Sequence, residues 1–292
     1  MLKRPTNVQD MSAASAKFFT DEGWQAGLDF KPKSEDVIVA TYAKSGTTWM
    51  QQMVHCLKTR GDMSFEEISL VVPWIEPAFD MGIDLEAPQT PPRAFKTHLP
   101  YDMVPKGSKY IVIFRELNAV LRSYYSFMEN WYFVEGTVSV DEFADASFFD
   151  VGPEFQPWHF FKTWWPLRKE PHVLMLCYED MLGKEEAVVR KVADFIGVEL
   201  NEELIAMTLE KSSHAFMKAH DRQFDDHGTS DALDERCCIP PGRVASKVTT
   251  SSSKVALSNE VKAKMADYWA KEIEADLGFA DYEEFRASVD KP

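Results

Sequence analysis

No stretch of this chain approaches the roughly 20 consecutive apolar residues that a bilayer-crossing helix needs. Its longest apolar runs, such as residues 110–114 (YIVIF), are the length of a strand. The first 30 residues mix charge with short apolar pieces and hold no apolar core followed by a small-residue cleavage site. Neither a secretory leader nor a membrane span is expected, and the cytoplasm is the expected compartment. Cysteine is scarce: Cys56, Cys177, Cys237 and Cys238 show no CxxC or Cys/His ligand spacing, so neither a structural metal nor a disulfide framework is expected. Basic residues are in deficit too. Lys plus Arg total 32 against 47 Asp plus Glu, a formal net charge of -15 that disfavours non-specific binding to nucleic acid. An acidic protein that binds an anion must concentrate its cations locally, which makes basic residues beside glycines or strand ends more informative than the total.

What is present is enough apolar material for a large core. With 45% apolar and 13% aromatic residues and no compositional break between two halves, residues 1–292 read as one domain. Residues 36–41 (DVIVAT) form an expected strand, followed by a Lys44-Ser45-Gly46 loop and an apolar-periodic helix over 49–57. The pattern repeats with a strand over 110–114 and a helix over 116–128, then a strand over 172–177 and helices over 185–196 and 202–209. Fully apolar strands alternating with helices predict an α/β fold, a mostly parallel sheet covered on both faces. Residues 258–277 carry apolar positions at helical spacing and predict an amphipathic helix. Residues 221–253 are polar, contain Pro240-Pro241-Gly242 and end in a Thr/Ser cluster, so they read as a long, lid-like loop.

The segment from Tyr42 to Trp49 lies between strand and helix, where backbone N–H groups and a helix N-terminus offer an anion site. Gly46 permits close backbone approach; Ser45, Thr47 and Thr48 add hydroxyls, and Lys44 adds a charge that can follow negative charge developing on a leaving oxygen. An ordinary N-capped helix start has the same composition. A Walker A loop places lysine after its second glycine, whereas here lysine precedes the only glycine, which argues against an ATPase or kinase.

Lys44-Ser45-Gly46-Thr47-Thr48-Trp49 resembles the 5′-phosphosulfate loop of cytosolic-type sulfotransferases, and further landmarks follow in family order. Lys96-Thr97-His98-Leu99-Pro100 resembles the family's catalytic segment, Arg115 and Ser123, eight residues apart, its 3′-phosphate site, and Tyr178-Glu179-Asp180-Met181 its motif after a later strand. The resemblance implies a P-loop-like fold and transfer of a sulfuryl group from 3′-phosphoadenosine-5′-phosphosulfate (PAPS) to a hydroxyl or amine of a small acceptor. It further implies His98 as general base, Lys44 at the bridging oxygen and Lys96 on the transferring group. Trp49 and Tyr178 resemble the residues beside the adenine, and Ser212, in Ser212-Ser213-His214, a residue of the adenosine pocket. The family's Arg-Lys-Gly signature is replaced in the lid by Pro240-Pro241-Gly242-Arg243, with a further cation at Lys247, so Arg243 is the candidate for the 3′-phosphate there. The family's dimer motif is not recognisable before Glu260, which leaves the oligomeric state open.

Read without the resemblance, a lone histidine is more often structural than catalytic, and lysines are usually solvated. The resemblance implies an acceptor pocket lined by aromatic and apolar side chains from variable loops, for which Trp74, Phe79, Phe127, Met128, Trp131, Tyr132 and Phe133 are candidates, with Glu76, Asp80 and Glu129 near them in sequence. Several carboxylates facing that pocket would select a cationic acceptor, because an unpaired buried carboxylate is costly. The competing readings are a small-molecule or nucleotide kinase using the same loop, and a non-catalytic nucleotide-binding protein.

Overall fold

A computed structural model describes residues 2–248 and 255–289. Four apolar runs become strands: β1 Val37–Thr41, β2 Ala94–Thr97, β3 Lys109–Phe114 and β4 Val173–Cys177. All pair in parallel, in the order β2-β1-β3-β4, with Val37 opposite both Ala94 and Lys109, and Tyr110 opposite Val173. Alternation along a strand sends neighbouring side chains to opposite faces. Ile38, Ala40, Tyr110, Val112 and Phe114 join one core with Val120 and Leu121 of the Leu117–Trp131 helix. Val37, Val39, Ile111 and Ile113 join the other, with Met50, Met53 and Val54 of the Thr47–Thr59 helix and Val188, Val189 and Val192 of Glu185–Ile196. The sheet is therefore covered on both faces, as parallel sheets are. Arg93 clamps the starts of β1 and β2, its Nε and Nη2 donating to the two carboxylate oxygens of Asp36 at 3.0 and 2.6 Å.

The strands expected over 36–41, 110–114 and 172–177 recur within a residue, and β2, Ala94–Thr97, contains Lys96. The helix expected over 258–277 is interrupted by a π-turn at Ala270–Glu274. Residues 221–253 depart from a plain loop. They begin with a 3-10 turn, Asp221–Phe224, and a helix, His227–Leu233, whose His227, Thr229, Ser230 and Leu233 are buried; residues 249–253 lie outside the described part. Two amino-terminal helices were not expected. Val8–Ser15 is capped by Asn7, which accepts from the Asp10 N–H at 2.8 Å, and Asp21–Asp29 by Thr20, which accepts from Gly23 at 2.9 Å. Among the described residues no helix is long and apolar enough to cross a membrane.

From β1 the chain moves to β2 on one side, and from β3 to β4 on the other. Connections that diverge in this way open a crevice at the carboxyl ends of adjacent strands. The site lies at those ends.

Candidate active site

Every strand brings a site residue to the same edge. Lys44 follows β1, Lys96 lies in β2 with His98 just beyond it, Arg115 follows β3 and Tyr178 follows β4. These five line one cavity of about 1070 Å³, together with Gly46, Thr47, Thr48, Trp49, Ser123 and Ser212. Ser45 does not: its side chain is buried beneath the loop. Arg243 lines a neighbouring cavity of about 340 Å³ that it shares with Lys44 and Ser123. Two of its N–H groups are already committed, to the carbonyls of Phe133 at 3.2 Å and Glu129 at 2.8 Å.

Two left-handed residues shape the loop, Lys44 at φ 66° and Gly46 at φ 101°. Gly46 caps the Thr47–Thr59 helix with no side-chain hydrogen bond, so no side chain competes with an anion for that helix end. A Cβ at Gly46 would lie 2.8 Å from Tyr178 Cδ2, so the loop and that ring are packed to the limit. Tyr178 in turn carries the Arg115 guanidinium 4.2 Å above its ring and meets the Trp49 ring edge-on at 5.9 Å. Arg115 Nη1 donates to the Lys44 carbonyl at 2.7 Å, which joins the loops after β1 and β3 across the crevice. Its Nε is buried with no partner. That orphaned donor, the uncapped helix end and the glycine cradle fit a phosphorylated nucleotide.

Lys44 Nζ sits 4.1 Å from the centre of the Phe127 ring, and burial, with Arg115 and Lys96 nearby, brings its pKa down to about 7. Lys96 Nζ lies 4.9 Å from the Trp74 ring and pairs with Asp226 Oδ2 at 3.4 Å; burial brings it to about 8, against the pull of Glu67 and Glu76. His98 is held at three points. Its Nδ1 donates to the Thr41 carbonyl at 2.9 Å, its backbone N–H donates to Glu76 Oε1 at 2.7 Å, and its ring packs against Trp74 at 5.1 Å. A carbonyl can only accept, so the proton is on Nδ1 and Nε2 keeps its lone pair. Burial above all, then Lys96, with further repulsion from Lys247 and Lys44, pushes the imidazole down to about 3, so it is neutral across the physiological range.

The Sulfotransferase domain family matches residues 34–284, most of the chain. The chain belongs to the sulfotransferase family. Sulfotransferase 1 family member D1 of Rattus norvegicus is 31% identical over 211 residues, covering 68% of this chain and 71% of the relative. Sulfotransferase 1C2 of the same species is 27% identical over 229 residues, covering 74% and 77%. In fold, this sulfotransferase resembles retinol dehydratase in complex with androsterone and the inactive cofactor PAP, with a TM-score of 0.66, 20% identity and coverage of 88% of this chain and 85% of the other. A mouse sulfotransferase complexed with PAP gives 0.62, 18%, 89% and 91%. The enzyme moves a sulfuryl group, with PAPS as its donor, and the kinase reading is not favoured.

Of the expected acceptor residues, Trp74, Phe127, Met128, Trp131 and Tyr132 line the main cavity. Phe79 is exposed on the surface and Phe133 is buried in the core. The condition for a cationic acceptor is met by only one of the three carboxylates named for it. Glu76 lines the cavity, but burial raises its pKa and His98 already uses one oxygen; Asp80 is tied to Thr20 and Arg236, and Glu129 to Tyr125 and Gly136. Sequence reasoning missed three contributors. The Thr41 carbonyl that orients His98 carries no side-chain signal, Glu76 was noted only as an acceptor-side acid, and Asp226 is 130 residues from the lysine it pairs with.

Proposed function

We propose that His98 is the general base of sulfuryl transfer to a small, largely apolar acceptor bearing a hydroxyl or amine, with Lys44 and Lys96 as the catalytic cations. PAPS supplies the sulfuryl group. His98 Nε2 takes the acceptor proton as the acceptor oxygen or nitrogen bonds to sulfur and the bridging S–O bond breaks, and Lys44 offsets the charge left on the departing phosphate oxygen. The observation that carries this reading is the Nδ1 bond to the Thr41 carbonyl, which leaves Nε2 unprotonated inside the cavity that also holds both lysines. Anion binding neutralises the lysines that depress His98, so the base strengthens when the donor is present.

The loop 42–49, with Lys44, Gly46, Thr47, Thr48 and the backbone around Ser45, is assigned to the 5′ end of the nucleotide. Arg115, Ser123 and, from the neighbouring cavity, Arg243 are assigned to the 3′-phosphate, and Trp49, Tyr178 and Ser212 to the adenosine. The Ser212 hydroxyl donates to the Thr208 carbonyl at 2.6 Å, so it serves the pocket through its position rather than as a free donor. We also infer a single domain over 1–292 in which the described part of the lid, residues 221–248, covers the site, and action in the cytoplasm.

The test is turnover of labelled PAPS against a panel of phenols, alcohols and amines, with thermal protection by 3′,5′-ADP and by ATP compared in parallel. Sulfated product with some acceptor, and protection by 3′,5′-ADP well above that by ATP, is expected. Protection by ATP alone would return the protein to the kinase class.

A further inference from the structure

Lys247 stands outside every assignment made so far, yet it lines the same cavity as Lys44, Lys96 and His98. Its side chain is 10% exposed, and its Nζ pairs with Asp226 Oδ2, the oxygen that also holds Lys96 Nζ at 3.4 Å. The electrostatics agree with the geometry. Repulsion from Lys96 and Lys44 reaches Lys247, and Lys247 is among the charges acting on His98. The residues just before it are fixed. Arg243 is bonded to the end of the Leu117–Trp131 helix, while Ser246 donates to Asp221 at 2.6 Å and accepts from Lys218 at 3.0 Å. Lys247 therefore enters from a segment anchored on its amino-terminal side.

We propose that Lys247 is a third catalytic cation, contacting the non-bridging oxygens of the sulfuryl group in transit, and that the Asp226 carboxylate is the internal anion holding Lys247 and Lys96 in place before that group arrives. Asp226 is suited to the holding role. It adopts a left-handed backbone at φ 58°, and its other oxygen accepts from Ser69 at 2.8 Å, which fixes the face it turns to the lysines. A sulfuryl group passing between two oxygens exposes three equatorial oxygens, and catalysis of such transfers is chiefly positioning and charge stabilisation. Lys44, above the Phe127 ring, and Lys96, above Trp74, approach that centre from the loops after β1 and from β2. Lys247 adds a charge from a third segment. This inference rests on the sulfuryl-transfer reading above.

The decisive comparison is Lys247→Met against Asp226→Asn. 3′,5′-ADP lacks the sulfuryl group, so a residue that touches only that group leaves its affinity intact. With labelled PAPS and the best acceptor of the panel, Lys247→Met is expected to lower kcat by about 100-fold, the loss typical of removing one transition-state donor, while the Kd for 3′,5′-ADP stays within about twofold of wild type. Lys247→Arg, which keeps the charge, should recover much of the rate. Asp226→Asn keeps both lysines but removes the anion that holds them, so kcat should fall, by clearly less than in Lys247→Met. If Lys247 merely ties down its segment, the two variants fall together in kcat and melting temperature. That outcome, or an unchanged kcat in Lys247→Met, overturns the proposal. A wild-type enzyme inactive with PAPS would instead overturn the sulfuryl-transfer reading itself, and misfolding of Lys247→Met leaves Lys247→Arg and Asp226→Asn to decide.

Discussion

Gly46→Ala perturbs the site through backbone geometry and packing at once. At φ 101° a residue bearing a Cβ is strained, at about 1–2 kcal/mol for the left-handed region. The new Cβ would also meet Tyr178 Cδ2 at 2.8 Å, closer than carbon atoms approach, so the ring must shift. Gly197→Ala separates the two effects. Gly197 ends the Glu185–Ile196 helix at φ 77°, with nothing within 4 Å of its added Cβ, so that variant carries only the backbone cost. Thermal unfolding should show a fall of roughly 2–8 °C for Gly197→Ala, at about 2–4 °C per kcal/mol for chains of 150–250 residues, and a larger fall for Gly46→Ala. Displacing Tyr178 also moves the surface on which Arg115 rests, so the Kd for 3′,5′-ADP should rise about tenfold in Gly46→Ala, equivalent to about 1.4 kcal/mol, and stay unchanged in Gly197→Ala. Equal melting temperatures and equal nucleotide affinity in the two variants would refute the claim that Gly46 is required by its contact with Tyr178.

Arg115→Ala and Ser123→Ala should each weaken 3′,5′-ADP binding, and isothermal titration giving wild-type affinity in both would remove them from the 3′-phosphate site. Nucleotide binding should also weaken as pH rises through about 7 and 8, because Lys44 and Lys96 lose their protons there and an anion favours their charged forms. Titrations at pH 8.5 in buffers of different ionisation heat should therefore show proton uptake on binding, and zero uptake would contradict the depressed lysines. For folding, the same lysines hold fewer protons in the native chain than in the unfolded one between their lowered values and the ordinary 10.5, so their contribution to stability rises with pH across that window. His98 acts at the other end: with a folded value near 3 and an ordinary one of 6.5, its contribution is lost as pH falls from 6.5 toward 3.

The strands and the phosphate loop were legible because their signals are local. A run such as DVIVAT has one use when followed by Lys-Ser-Gly-Thr-Thr, and a parallel sheet then brings the residue after each strand to a common edge. The His227–Leu233 helix was hidden because its sequence, HGTSDAL, is built from residues that also favour caps and turns, and it is stabilised by burial rather than by its own propensity. The amino-terminal helices were hidden for a similar reason. They are short, and Met11, Phe18, Phe19 and Trp24 gain their meaning only by lining a cavity whose other walls lie far along the chain. Long-range polar partners left no trace: nothing about Asp226 in sequence points to Lys96, and nothing about Thr41 says that its carbonyl sets the tautomer of His98.

The most direct test of the account is the rate of labelled-PAPS turnover by His98→Ala on a hydroxyl acceptor, measured beside the melting shift with 3′,5′-ADP. A positioned base contributes about 100- to 10,000-fold in rate, so kcat should fall by at least the lower figure while the melting shift persists, because the base acts on the acceptor's proton and not on the nucleotide. Near-wild-type kcat for His98→Ala across neutral pH would mean that another group takes the proton, and would contradict the mechanism.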